Sequence, residues 1–152
     1  MRILLCLALV VSAAHLGGGA SLAQTPPTER ELRIYAGLHD AAARGDAAEI
    51  EQLIAEGEKP NIQDANSRTP LLVAAFLRRH AATQALLRLG ANANALDAQG
   101  YDIVTIAAMN NDLEMLNIAL AGGADARAII GPHHETALMV AAHRGHVEIL
   151  RA

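Results

Sequence analysis

The sequence predicts an all-α solenoid of stacked helix-turn-helix units joined by hairpin-like fingers, about four units long with the last incomplete. Three observations carry that prediction. The pairs Ala41-Ala42, Ala74-Ala75, Ala107-Ala108 and Ala141-Ala142 recur at intervals of 33, 33 and 34 residues. Gly57, Gly90 and Gly123 keep step with them, and Asp64 and Asp97 are also 33 apart. The third observation is composition: with one Phe, two Tyr and no Trp, alanine and leucine must fill the core. Small side chains let short helices approach closely. An internal period of this length means units that cannot bury their apolar faces alone and therefore stack.

The first 23 residues read as a cleaved signal peptide. Arg2 supplies the positive start, Ile3 to Ala14 form an apolar run too short for a finished anchor, and Ser21-Leu22-Ala23 offers small residues at the cleavage site before Gln24. The one cysteine, Cys6, lies inside that run, so the mature chain has no thiol, no disulfide and no cysteine metal site. Arg2 is the leader's only charged residue, so the 12 basic and 16 acidic side chains of the whole chain become 11 and 16. That mild acidic balance has no basic stripe and argues against nucleic acid as a partner.

Residues 24–36 read as a tether followed by an N-terminal capping helix. Thr28-x-x-Glu31 has the spacing of a capping box, which predicts a short helix from Glu29 that shields the first repeat. The repeats then occupy about 37–68, 69–101, 102–135 and 136–152. Thr69, Asp102 and Thr136 stand where a side-chain oxygen caps a first helix, and Pro70 takes the first helical position, where no amide hydrogen is needed. The alanine pairs face neighbouring helices, where larger groups would push the stack apart. Gly45, Asn111 and Gly145 mark the turn between the two helices, where a left-handed backbone is needed. Leu53, Leu86, Leu116 and Ile118 form the apolar face of the second helices. Gly57, Gly90 and Gly123 end them before each finger.

Aligned on the period, GLHDAAARGDAAEIEQLIAEGEKPN, TPLLVAAFLRRHAATQALLRLGANAN, DIVTIAAMNNDLEMLNIALAGGADAR and TALMVAAHRGHVEILRA resemble the ankyrin repeat. That family opens a helix with Thr-Pro-Leu-His, carries an Ala-Ala pair, a Gly-His turn and a Leu-rich second helix, and ends in Gly-Ala-Asp. No repeat here keeps both the Thr and the His of the opening motif. His39 follows Ala36, while Thr69, Thr136 and Asp102 face Leu72, Met139 and Thr105. Arg78 replaces the turn glycine of the second repeat. The resemblance implies unchanged architecture and lowered stability. The fourth copy stops at Ala152, midway through its second helix, so further repeats or a polar cap are expected beyond it.

The resemblance also implies a binding surface of fingers and first helices. The family's contact positions fall here on Ala65, Asn66, Arg68, Phe76, Leu77, Ala98, Gln99, Tyr101, Met109, Asn110, His143 and Arg144. Phe76, Leu77, Tyr101 and Met109 are large apolar residues at nominally exposed places, the signature of a binding patch, with cover for the neighbouring repeat as the alternative. His133, His134, His143 and His146 gather in the last repeat. However, Gly145 interrupts the helix between His143 and His146, and His146 takes the place of a family structural histidine, so no metal or other cofactor is expected. No nucleophile motif, phosphate-binding loop or catalytic carboxylate pair appears, and Asp64 and Asp97 read as finger residues, so catalysis is not expected. The expected function is rigid-scaffold binding, by a monomer, of another exported or inner-membrane protein. The compartment is periplasmic or secreted, with no membrane insertion after signal cleavage. Small exported bacterial relatives linked to catalases suggest envelope or peroxide defence. A secreted effector or toxin-neutralising protein and a histidine-based metal carrier stand as alternatives.

Overall fold

The computed structural model describes residues 25–129 and 134–151, so the leader, Cys6 and His133 lie outside the described residues. A short helix, α1 (Glu29–Ile34), precedes four helix pairs. These are α2 (Gly37–Arg44) with α3 (Ala47–Ala55), α4 (Pro70–Phe76) with α5 (His80–Arg88), α6 (Ile103–Met109) with α7 (Leu113–Ala121), and α8 (Ala137–Arg144) with α9 (Val147–Arg151). First helices pack on first helices (α2 on α4, α4 on α6, α6 on α8), and second helices do likewise from α3 through α9. Two layers of helices therefore share one continuous core. Among the described residues no helix is long and apolar enough to cross a membrane.

Six of the helices begin where a short polar side chain satisfies a free amide of the first turn. Thr28, Asp46, Thr69, Asp102, Asp112 and Thr136 all accept a hydrogen bond from the backbone N–H three residues on. Such caps contribute about 1 kcal/mol each. Helix α2 starts at Ala36, which has nothing to offer. Glu58 supplies the missing acceptor from the end of the first repeat, taking the Leu38 N–H at 3.1 Å.

The turn between paired helices is left-handed in all four units: Gly45, Arg78, Asn111 and Gly145 have φ of 81°, 57°, 50° and 70°. Arg78 thus adopts the glycine conformation despite its Cβ, at a cost of about 1–2 kcal/mol. The alanine pairs are fully buried through Ala108. Around them Leu38, Ile50, Leu71, Leu72, Leu86, Ile103, Ile106 and Met115 are sealed from solvent.

The first two fingers repeat as faithfully as the helices. The Asp64 carboxylate accepts the N–H groups of Asn66 and Arg68 at 2.8 and 2.9 Å, and the backbone N–H of Asp64 donates to Arg68 O. The Asp97 carboxylate does the same for Gln99 and Tyr101, both at 2.9 Å, so both aspartates hold a tight turn. Adjacent fingers are joined by the Ala98 N–H donating to Asn66 O at 2.8 Å. The segments between repeats are stitched by Asn61 and Asn94. Each accepts a backbone N–H from the next unit (Asn92 at 2.7 Å, Asp125 at 2.8 Å) and donates to a glycine carbonyl there. This pair also keeps the 33-residue spacing, a signal present in the sequence that the reading above did not use.

Candidate functional site: the finger and first-helix face

Register places the proposed contact residues in two rows. Ala43, Phe76, Met109 and His143 occupy one equivalent position near the ends of α2, α4, α6 and α8, and Arg44, Leu77, Asn110 and Arg144 the next. Phe76, Leu77, Met109 and Asn110 are half-buried, while His143 and Arg144 are exposed. Arg144 reaches back one unit, its guanidinium donating to Met109 O at 3.4 Å. This part of the face is open to a partner.

Two of the expected contact residues are not exposed. Arg68 is 4 % accessible and Tyr101 is 6 % accessible, which corrects their reading as parts of an open patch. Tyr101 closes the second finger turn through Asp97, and burial is the main cause that pushes its phenol above the ordinary range. Arg68 is covered by the chain's own N-terminal segment. Its guanidinium donates to Glu31 Oε1 at 3.1 Å and to Thr25 O at 2.9 Å, and lies 3.5 Å from the Asp64 carboxylate. Its Cζ sits 5.8 Å from the centroid of the Phe76 ring, a cation–π contact that explains why Phe76 is only partly open.

Residues 25–35 form a strap over the first fingers. Thr25 N–H donates to Gln99 Oε1 at 3.0 Å, Asn66 Nδ2 donates to Glu31, and Tyr35 Oη donates to Asp64 Oδ2 at 2.7 Å. Tyr35 also lies against His39, ring centroids 5.2 Å apart, and its hydroxyl is raised above the ordinary range by burial first and by Asp64 second. The Glu31 carboxyl is lowered to about 2, chiefly by the Thr28 backbone and side-chain hydrogen bonds of the capping box, with Arg68 adding to them. Helix α1 covers the first finger without apolar burial: none of its residues is buried, and Ile34 is 73 % exposed. The strap is held by polar groups, with Pro27 its one buried apolar residue.

Three of the histidines, His39, His80 and His146, hold parts of the stack together. His39 Nε2 lies 2.9 Å from Arg68 O, tying the first helix to the end of its own finger, and His146 Nδ1 lies 2.7 Å from Ala108 O, tying the fourth repeat to the third. His80 and Arg78 both converge on Asp112, at 2.9 and 3.0 Å. Burial works to raise the Asp112 carboxyl, but the Met115 N–H, His80 and Arg78 outweigh it and leave it lowered. Arg79, at the place equivalent to His146, donates to Ala43 O at 2.9 Å. His134 and His143 are exposed. Among the described residues, no three His, Cys, Asp or Glu side chains are grouped to hold a metal ion.

Comparison with known proteins agrees with this architecture. The family model for ankyrin repeats in three copies matches residues 38–129, and the model for a single ankyrin repeat matches residues 133–152. The ankyrin repeat protein YahD of Escherichia coli (strain K12) is 28 % identical over 111 residues, covering 73 % of this chain and 55 % of YahD. The ankyrin repeat domain-containing protein SAT10 of Stachybotrys chartarum (strain CBS 109288 / IBT 7711) is 31 % identical over 103 residues, 68 % of this chain but 5 % of SAT10. The crystal structure of the human ASB11 ankyrin repeat domain superposes with a TM-score of 0.65 at 29 % identity, covering 77 % of this chain and 52 % of that one. The chain thus spans about half the length of YahD and of the ASB11 domain. Ankyrin repeats typically mediate protein–protein interaction and are generally non-catalytic scaffolds. With one period running through helices, fingers and inter-repeat ties, and family models matching most of it, the chain belongs to the ankyrin repeat family.

Proposed function

We propose that the chain is a monomeric, non-catalytic scaffold that binds another protein on its finger and first-helix face. The observation that carries this reading is the row Phe76, Met109, His143 with its neighbours Leu77, Asn110 and Arg144, which is held in register by the core, half-buried through Asn110 and exposed at His143 and Arg144. A face preformed by stacked helices loses little conformational entropy on association. The partner is an exported or inner-membrane protein, because residues 1–23 have the composition of a signal peptide. The process is envelope or oxidative-stress defence, by analogy with exported relatives.

A photo-crosslinking residue at Asn110 or His143, in the protein expressed in its own host, gives a specific protein adduct. The same probe at Gln84, exposed on the second helix α5, gives none. Failure at both Asn110 and His143 would remove the reading. Its compartment is checked separately: the purified protein begins at Gln24 and fractionates outside the cytoplasm. An intact Met1 on cytoplasmic protein would refute export.

A further inference from the structure

We infer that the strap, residues 25–35, is an intramolecular stand-in for a partner, and that Arg68 with Asn66 and Gln99 forms a receptor for an extended protein segment bearing a carboxylate. This rests on the reading of the finger and first-helix face as the docking surface, and deepens it by naming what the N-terminal end of that face recognises.

Three observations converge. First, the strap covers the residues that the repeat pattern assigns to partner contact: Asn66 and Arg68 on one finger, Gln99 on the next. Second, the contacts are those of peptide recognition. A carboxylate takes the buried guanidinium and the Asn66 amide, a backbone carbonyl takes the guanidinium's other nitrogen, and a backbone N–H takes the Gln99 oxygen. Pro26 and Pro27 keep the stretch between Thr25 and the start of α1 extended. The strap lines a cleft of about 240 Å³ with these same residues, so the site is not filled to its walls. Third, the strap is detachable. Polar contacts with no buried helix residue open at lower cost than the core does. Arg68 stays behind, because its guanidinium lies 3.5 Å from the Asp64 carboxylate and its Cζ 5.8 Å from the Phe76 ring centroid.

Opening the strap takes the Glu31 carboxylate and the Thr25 carbonyl from the guanidinium and leaves it Asp64, which is already holding its own finger turn. A segment that covers the guanidinium again without a carboxylate would bury a charge without its partner, which is strongly unfavourable. Whatever displaces the strap must therefore bring a carboxylate to the place of Glu31, and a main-chain carbonyl to the place of Thr25 O. A neutral or basic segment cannot compete. From there a partner continues over Phe76 towards Met109 and His143, so that displacement and docking are one event.

The test uses a fluorescein-labelled synthetic peptide copying residues 25–35 and fluorescence anisotropy with the full chain. Glu31→Ala loosens the strap and leaves the receptor intact, so this variant binds the peptide at least tenfold more tightly than the wild type. Tyr35→Phe, which cuts the strap's tie to Asp64, shifts binding in the same direction. Adding Arg68→Ala to Glu31→Ala abolishes binding, and a peptide carrying alanine at the position of Glu31 does not bind to any variant. Circular dichroism confirms that each variant keeps its helices. Should Glu31→Ala fail to fold, Tyr35→Phe decides alone. Binding no tighter than wild type in the folded variants overturns the inference, as does tight binding that survives loss of Arg68. Neither result touches the crosslinks at Asn110 and His143, which test the docking face itself.

Discussion

Phe76 and His143 hold equivalent places, two repeats apart, in one row of first helices, yet their surroundings have little in common. At Phe76 the face is roofed by a guanidinium, which is itself pinned by a carboxylate and a carbonyl from a segment of chain about 40 residues earlier. At His143 it meets solvent. The same contrast runs through the interior of the stack. Leu71 is 0 % accessible and its equivalent Leu138 is 56 % accessible, because α4 has α6 packed on it and α8 has no further first helix among the described residues. Repetition thus fixes where a side chain stands, while neighbours that break the repetition fix what it experiences.

The contrast is broken most forcefully in the core. Leu71→Ala removes a sealed side chain from between repeats and costs about 3–5 kcal/mol. Leu138→Ala, the same change at the same register, costs about 0.5 kcal/mol or less. Urea unfolding of the two variants measures the difference directly. Equal losses would show that Leu138 is covered in solution, and the asymmetry of the stack would vanish. Arginine gives the next contrast. Arg68→Ala leaves Glu31 and Asp64 without their cation and costs about 2–4 kcal/mol. Arg144→Ala, which gives up one long hydrogen bond at the surface, stays within about 0.5 kcal/mol. Asp112→Ala falls close behind Arg68→Ala, at about 2–3 kcal/mol, since one buried carboxylate caps α7 and receives both Arg78 and His80. Thermal melts rank the three, and an Asp112→Ala melt equal to the wild type would mean that the Arg78 and His80 pairs add nothing to the joint between the second and third repeats.

How much of this could be read in the sequence follows the same division. Whatever repeats was legible. The alanine pairs through Ala108, the capping Thr69, Asp102 and Thr136, the left-handed turn at Gly45, Asn111 and Gly145, and the finger aspartates act as their spacing predicts, while Ala142 of the last pair is exposed. Asn61 and Asn94 were equally available at that spacing. What breaks the repeat was not legible from a single unit. Arg68 stands at a contact position by register, and only its pairing with Glu31, 37 residues away, takes it out of reach. Tyr101 is large and follows a finger, yet its turn bonds to Asp97 draw it inside. Ala36 and Glu58 show the converse: the first helix has no cap of its own, and a residue 20 positions on from Leu38 supplies one. Family contact positions fix geometry, and the non-repeating strap decides which of them are free.

The smallest effect is a pH dependence confined to one end of the row. The carboxyl of Glu31 falls from an ordinary 4.5 to about 2 in the folded chain, so folding favours its ionised form. Its contribution is fully present above the unfolded value near 4.5 and is lost as pH falls through the folded value near 2. Asp97, on the adjacent finger, is raised by burial, and its share has the opposite sign: present at low pH and lost as pH rises through its folded value. Acid therefore weakens the strap while easing the finger beneath it, and the wild-type curve mixes the two. Subtracting the Glu31→Gln variant isolates the first. The difference in unfolding free energy is constant from pH 7 down to about 5 and closes between about 4.5 and 2. A difference that stays flat across that range would mean that Glu31 keeps neither its capping-box bonds to Thr28 nor its pairing with Arg68 in solution.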